Sequence, residues 1–323
     1  MNDNYVKSGL IGLVVGDALG VPVEFINRKT LQMGPVTGMR EFGSHHQPIG
    51  TWSDDSSLAC CLAEMLSEKY SLGNLAGLFI AWKEHGYWTP NGNVFDIGIA
   101  TSSAIHSLSK GISPTLAGGR YEDCNGNGSL MRILPVLPYV KEKPIGKRFD
   151  IIKDVSSLTH AHIRSVLACF IYIEFAIELL SEKDKWKALG NMRQTVNLFL
   201  NDNPICSFGE SDRFSRILGK HSNDLFELTL IENCVEDEIS SSGYVLNTLE
   251  ASLWCLLTTD SYSEAVLKAV NLGEDTDTTG AVTGGLAGIF YGYESIPKEW
   301  LDVLVKRTEI EKLADKLYKK YNG

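Results

Sequence analysis

Glycines recur every four residues at two places in this sequence, one near each end. Gly280, Gly284, Gly288 and Gly292 stripe the apolar segment that follows Gly273-Glu274-Asp275-Thr276-Asp277-Thr278-Thr279, and Gly12, Gly16 and Gly20 stripe the segment from Gly9 to Gly20. An interior glycine costs a helix about 1 kcal/mol relative to alanine, so those at 280, 284, 285, 288 and 292 together cost on the order of 4–5 kcal/mol. Close approach of a second backbone along a smooth stripe offsets that cost. The two stripes are complementary, so the sequence predicts that the N-terminal helix packs against the one beginning at Thr278.

The same two segments carry acids. Residues i and i+2 do not share a helix face, so Asp275 and Asp277 converge only where the backbone is not yet regular helix. That places them at a loop-to-helix junction, with Thr278 or Thr279 as the N-cap. Glu24 stands in an apolar stretch just after Pro22, the residue expected to end the first helix. Asp54 and Asp55 are adjacent, flanked by Ser53 and Ser56, and precede an amphipathic run over 57–70. An N-cap needs only one acid, although a second suits the helix dipole. If the five carboxylates converge, repulsion must be relieved by protonation or by cations. Oxygen-only ligands select Mg²⁺, Mn²⁺ or Ca²⁺ over zinc, and five acids suit two ions roughly 3.5–4 Å apart better than one.

Elsewhere helical periodicity dominates, over 72–85, 95–109, 163–180, 184–200, 213–219, 244–258, 261–271 and 308–321, and period-2 alternation is scarce. The expected class is all-α. With no linker, low-complexity run or repeat, residues 1–323 read as one domain. Asp96 reads as a cap for the 95–109 helix. The turn Asn125-Gly126-Asn127-Gly128-Ser129 reads as opening another helix, where exposed amides suit an anion. His160 and His162 are spaced for a helix start or a supporting role, not for a helical ligand pair. Residues 27–50 read as loop. A net charge of −10 argues against binding nucleic acid through a basic face. Seven cysteines (60, 61, 124, 169, 206, 234 and 255) with no C-x-x-C pair suit free thiols in a cytoplasmic protein. The run from Gly9 to Val23 is short for a bilayer span and carries Asp17, so no membrane association is expected.

Gly16-Asp17-Ala18-Leu19-Gly20 with Glu24, Gly50-Thr51-Trp52-Ser53-Asp54-Asp55-Ser56, Gly126-Asn127-Gly128-Ser129-Leu130-Met131-Arg132 and Gly273 to Ala281 together resemble the ADP-ribosylglycohydrolase family, in the expected order. The resemblance implies a metal-dependent hydrolase with two Mg²⁺ or Mn²⁺ ions that removes ADP-ribose from modified side chains of a protein, or from an ADP-ribose derivative. By position, the metal ligands would be Ser53, Asp54, Asp55, Asp275, Asp277 and Thr278. Glu24 would stand beside the metals as ligand or catalytic acid/base, Asp96 would be a catalytic acid near the scissile bond, and Asn127, Gly128, Ser129 and His160 would serve the substrate. Asp96 points to arginine as the acceptor. Ser53 stands where threonine is commoner, which keeps the hydroxyl. Glu274 stands where glycine is more usual, which is expected to alter access to the cluster. The rival readings are a metal-dependent nucleotide phosphohydrolase and a non-catalytic ADP-ribose-binding relative.

Overall fold

The computed structural model describes residues 4–203, 209–219 and 229–322. Among these residues there is no strand, only three isolated bridges. In chain order the helices are α1 (Tyr5–Gly20), α2 (Arg28–Met33), α3 (Asp54–Glu68), α4 (Leu72–His85), α5 (Ile99–Ser109), α6 (Pro114–Ala117), α7 (Leu137–Val140) and α8 (Ile145–Ser157). They continue with α9 (Ile163–Ser181), α10 (Lys185–Asp202), α11 (Ser215–Leu218), α12 (Val245–Leu257), α13 (Tyr262–Asn271), α14 (Thr276–Tyr291), α15 (Lys298–Val303) and α16 (Arg307–Asn322).

The centre of the molecule is the crossing of α1 and α14, as the glycine stripes require. A Cβ on Gly16 would lie 2.0 Å from the Gly280 carbonyl oxygen, one on Gly12 2.3 Å from that of Gly284, and one on Gly288 2.1 Å from that of Ser8. Backbone therefore lies directly on backbone, an approach that only glycine permits. The crossing is also pinned by polar groups. The Tyr262 hydroxyl donates to the Gly12 carbonyl at 2.7 Å, and the Thr276 hydroxyl donates to the Gly20 carbonyl at 2.8 Å. At its end, a Cβ on Gly20 would lie 2.3 Å from the Asp277 Cα, so the last turn of α1 seats against the first turn of α14. Glu24 follows four residues later, and the glycine stripe thereby brings it to Asp277.

Around this pair, α12 and α13 flank α14, α3 and α16 flank α1, and the almost wholly buried α9 closes the core behind them. The stretch Tyr5–Val23 has the length and apolar composition of a membrane span, and here it is packed inside the protein. Six of the seven cysteines are free thiols, and Cys206 lies outside the described residues.

Several local expectations need correction. Pro22 does not end α1 abruptly; after Gly20 the chain tightens into a 3-10 turn over Val21–Val23. The helix expected from residue 95 starts at Ile99 with Gly98 at its cap, because Asp96 adopts a left-handed φ of 51° that no helix start accommodates. The turn at 125–129 opens no helix: it runs through turns to a 3-10 segment at Leu134–Val136, where Pro135 and Pro138 interrupt the backbone bonding. The N-cap of α14 is Asp275, not a threonine. The Thr279 hydroxyl turns back to the Asp275 carbonyl instead, at 2.7 Å. The residues read as loop from 27 to 50 contain α2, and 145–157 form α8, an amphipathic helix absent from those expected although Ile145, Phe149, Ile152 and Val155 recur at helical spacing.

Candidate metal centre

The first turns of α3 and α14 aim into one cleft. Ser53 caps α3, its hydroxyl accepting from the Asp55 amide at 3.4 Å, and Asp54 and Asp55 are buried in the first turn. The Asp17 carboxylate fixes this turn from α1: it accepts from the Ser53 amide at 2.9 Å and from the Ser56 amide and hydroxyl at 3.1 and 2.5 Å. Asp17 thus caps a helix 36 residues further along the chain, a role that its place inside an apolar run did not reveal. On the other side, Asp277 accepts from the Thr278 amide at 2.8 Å, and the Thr278 hydroxyl donates to Asp55 at 3.3 Å. Thr278 therefore links acids distant in the chain, donating to Asp277 through its amide and to Asp55 through its hydroxyl.

Three buried carboxylate oxygens have no partner: Oδ2 of Asp55, Oδ1 of Asp275 and Oδ2 of Asp277. Glu24, Asp275 and Asp277 each present an oxygen within 4.8 Å of the others. No lysine or arginine lines the cleft among the described residues. Burial is the largest cause pushing the carboxyl groups of Asp54, Asp55, Asp275 and Asp277 upward; acidic neighbours reinforce it at Asp54, Asp55 and Asp277, and hydrogen bonds led by that from Asn127 partly offset it at Asp275. Burial, then Asp96 and Asp275, pushes Glu24 up to about 10. Unpaired buried oxygens and raised carboxyls, with no lysine or arginine among the described lining residues, fit a hard cation, whose charge would return these groups to the ionised state. The positive ends of α3 and α14 add partial charge of the same sign.

The cleft has a volume of about 490 Å³ and runs from these acids to the Gly126–Gly128 turn. Glu24, Asp54, Asp55, Asp96, Asp275 and Thr278 line it, as do Asn127, Gly128 and His160. The turn is tied down on its far side: the Asn127 amide donates to the Gly243 carbonyl at 3.0 Å, and its side chain donates to Asp275 and to Thr248, both at 2.9 Å. The buried His160 ring packs under Gly128, where a Cβ would come within 2.7 Å of it. Burial, with Arg132 nearby, lowers His160 to about 3, so the ring is neutral. Ser129 is turned away, buried against the Cys169 thiol at 3.4 Å, and does not face the cleft. Asp277 and Ser53 sit behind the lining residues.

The sequence model of the ADP-ribosylglycohydrolase family matches residues 2–323. The chain belongs to the ADP-ribosylglycohydrolase family. The protein is 32% identical over 317 residues to the ADP-ribosylarginine hydrolase Tri1 of Serratia proteamaculans, covering 97% of this chain and 78% of that one. It is 27% identical to the ADP-ribosyl-[dinitrogen reductase] glycohydrolase of Rhodospirillum rubrum, over 93% of this chain and 90% of that one. A solved ADP-ribosylglycohydrolase-related protein complex contains a chain of the same fold, with a TM-score of 0.79 at 28% identity and coverage of 99% and 100%. As an ADP-ribosylglycohydrolase the protein is an enzyme of the hydrolase class, and its acidic cluster is a site able to hold metal.

Two features of this glycohydrolase cleft were not anticipated. His45, from the segment read as loop, places Nε2 against the Glu24 carboxylate, and with Asp96 it forms a second close triad around Glu24. A histidine in an irregular loop has no periodicity to mark it. Glu274 does not line the cleft; it borders a separate groove with Arg28 and Asp237, and its φ of 62° explains why glycine suits that position.

Proposed function

We propose that this protein is a metal-dependent hydrolase that removes ADP-ribose from modified arginine, using two Mg²⁺ or Mn²⁺ ions. The observation carrying this reading is the trio of unpartnered buried carboxylate oxygens contributed by α3 and the start of α14, at one end of a cleft that also reaches the Gly126–Gly128 turn. Ser53, Asp54, Asp55, Asp275, Asp277 and Thr278 would hold the ions. Bound there, divalent ions lower the pKa of water and orient the ribose diol.

The chain's own groups have separate tasks. Asn127 steadies Asp275 and thereby couples the turn to the acids. The carboxylates favour the positive charge that develops at the anomeric carbon of the distal ribose. A water oxygen bonds to that carbon, the bond to the guanidine nitrogen breaks, and the departing guanidine gains a proton. Glu24 and Asp96, both on the cleft wall, are the groups placed to move protons. The neutral, buried His160 supports the turn that would receive the diphosphate. Arginine as the acceptor is supported by the similarity to Tri1 of Serratia proteamaculans and by Asp96 on the cleft wall. The free thiols among the described residues support a cytoplasmic setting.

The test is incubation with arginine-, serine- and O-acetyl-linked ADP-ribose, with and without EDTA. Release of ADP-ribose from the arginine linkage, abolished by EDTA, is expected. AMP or phosphate as the product, or turnover insensitive to EDTA, overturns the proposal.

A further inference from the structure

Phe25 is expensive in two ways. Its φ of 65° lies in the left-handed region, where a bulky residue is strained by roughly 1–3 kcal/mol, and its ring is 71% exposed. The strain is held in place: the Phe25 amide donates to the Glu274 carbonyl at 2.6 Å, and the Glu274 amide donates back to the Ile26 carbonyl at 2.8 Å. The side chain directly follows Glu24, and the ring lines the same cleft as Glu24 and Asp96. Behind it, His45 lies between Phe25 and Phe95, with ring centroids 5.8 and 5.3 Å apart. An aromatic face is thus fixed beside two carboxylates, in a cleft lined among the described residues by no lysine or arginine.

We propose that Phe25 is a specificity-determining residue: its ring is a platform for the planar guanidinium of the acceptor, with Asp96 supplying the opposing charge. This rests on the arginine reading above and names the residue that enforces it. A ring attracts a cation over its face, and a guanidinium stacks on it, whereas a neutral hydroxyl acceptor gains neither. An aliphatic side chain of similar size covers the same surface but has no such face.

The experiment compares wild type with Phe25→Leu and Phe25→Trp on arginine-linked and serine-linked ADP-ribose, with melting temperature as a check on folding. Phe25→Leu is expected to lose about three- to tenfold in kcat/KM on the arginine linkage, mostly through KM, with the serine linkage unaffected. Phe25→Trp is expected to retain the preference. Agmatine, as a free guanidinium probe, is expected to inhibit wild type more strongly than Phe25→Leu. If wild type cleaves the arginine linkage and Phe25→Leu matches it on both substrates, the platform is refuted while the acceptor assignment stands. If wild type cleaves only the serine linkage, the acceptor assignment fails and the platform with it.

Discussion

Asp275 and Asp277 show how one side chain can be both a helix terminus and a ligand candidate. Each has one oxygen satisfied by a neighbouring donor and one buried without a partner. Replacing either acid by asparagine removes charge without removing volume. Asp275→Asn and Asp277→Asn are therefore expected to abolish release of ADP-ribose while leaving the far-ultraviolet CD spectrum of the wild type; unchanged rates would remove these residues from the site. Glu274 is the contrasting case, since its side chain faces away from the cleft and its backbone is strained. Glu274→Gly is expected to raise stability by about 1 kcal/mol, read as a higher melting temperature with turnover retained. The acids were legible in the sequence because clustered carboxylates beside hydroxyls have few uses. Asp17 and His45 were not, because their meaning lies in contacts with α3 and with Glu24 that no spacing encodes.

At the scale of elements, the α1–α14 crossing was the most legible part of the fold, since a four-residue glycine period has one economical explanation. The Gly126–Gly128 turn was less so. Its residues were singled out, but the local pattern suggested a helix start, whereas its shape comes from pairing with Gly243 to Val245 more than a hundred residues away. The crossing predicts its own sensitivity. A methyl group on Gly16 would need space held by the Gly280 carbonyl, and one on Gly20 space held by the Asp277 backbone. Gly16→Ala is expected to cost about 1–3 kcal/mol, measured by denaturant unfolding. Gly20→Ala is expected to lose turnover beyond its cost in stability, because it displaces the acid-bearing turn itself. Equal effects of the two on activity would separate the crossing from the site.

For the molecule as a whole, the acids make stability depend on pH in a direction set by metal. Burial raises Asp17 to about 6 from an ordinary value of 3.8, and Glu24 to about 10 from 4.5. Without metal the folded state then holds protons that the unfolded chain has released, so this contribution is present in full below about pH 4 and is lost as pH rises through these folded values. Metal-free protein is expected to melt higher at pH 5 than at pH 8, and divalent ions are expected to stabilise more at pH 8, since they compete with protons for the buried carboxylates of Asp54, Asp55, Asp275 and Asp277, which burial also pushes upward. The opposite order with EDTA present would count against shared protonation of the cluster.

The central claim is that acids from the two ends of the chain build one cation site. Counting Mn²⁺ bound by wild type, Asp55→Asn and Asp277→Asn, by electron paramagnetic resonance of the free ion, tests it directly. Two ions per wild-type chain, and a loss of binding in each variant, are the predicted result. No binding by wild type, or binding by both variants as tight as by wild type, would contradict it.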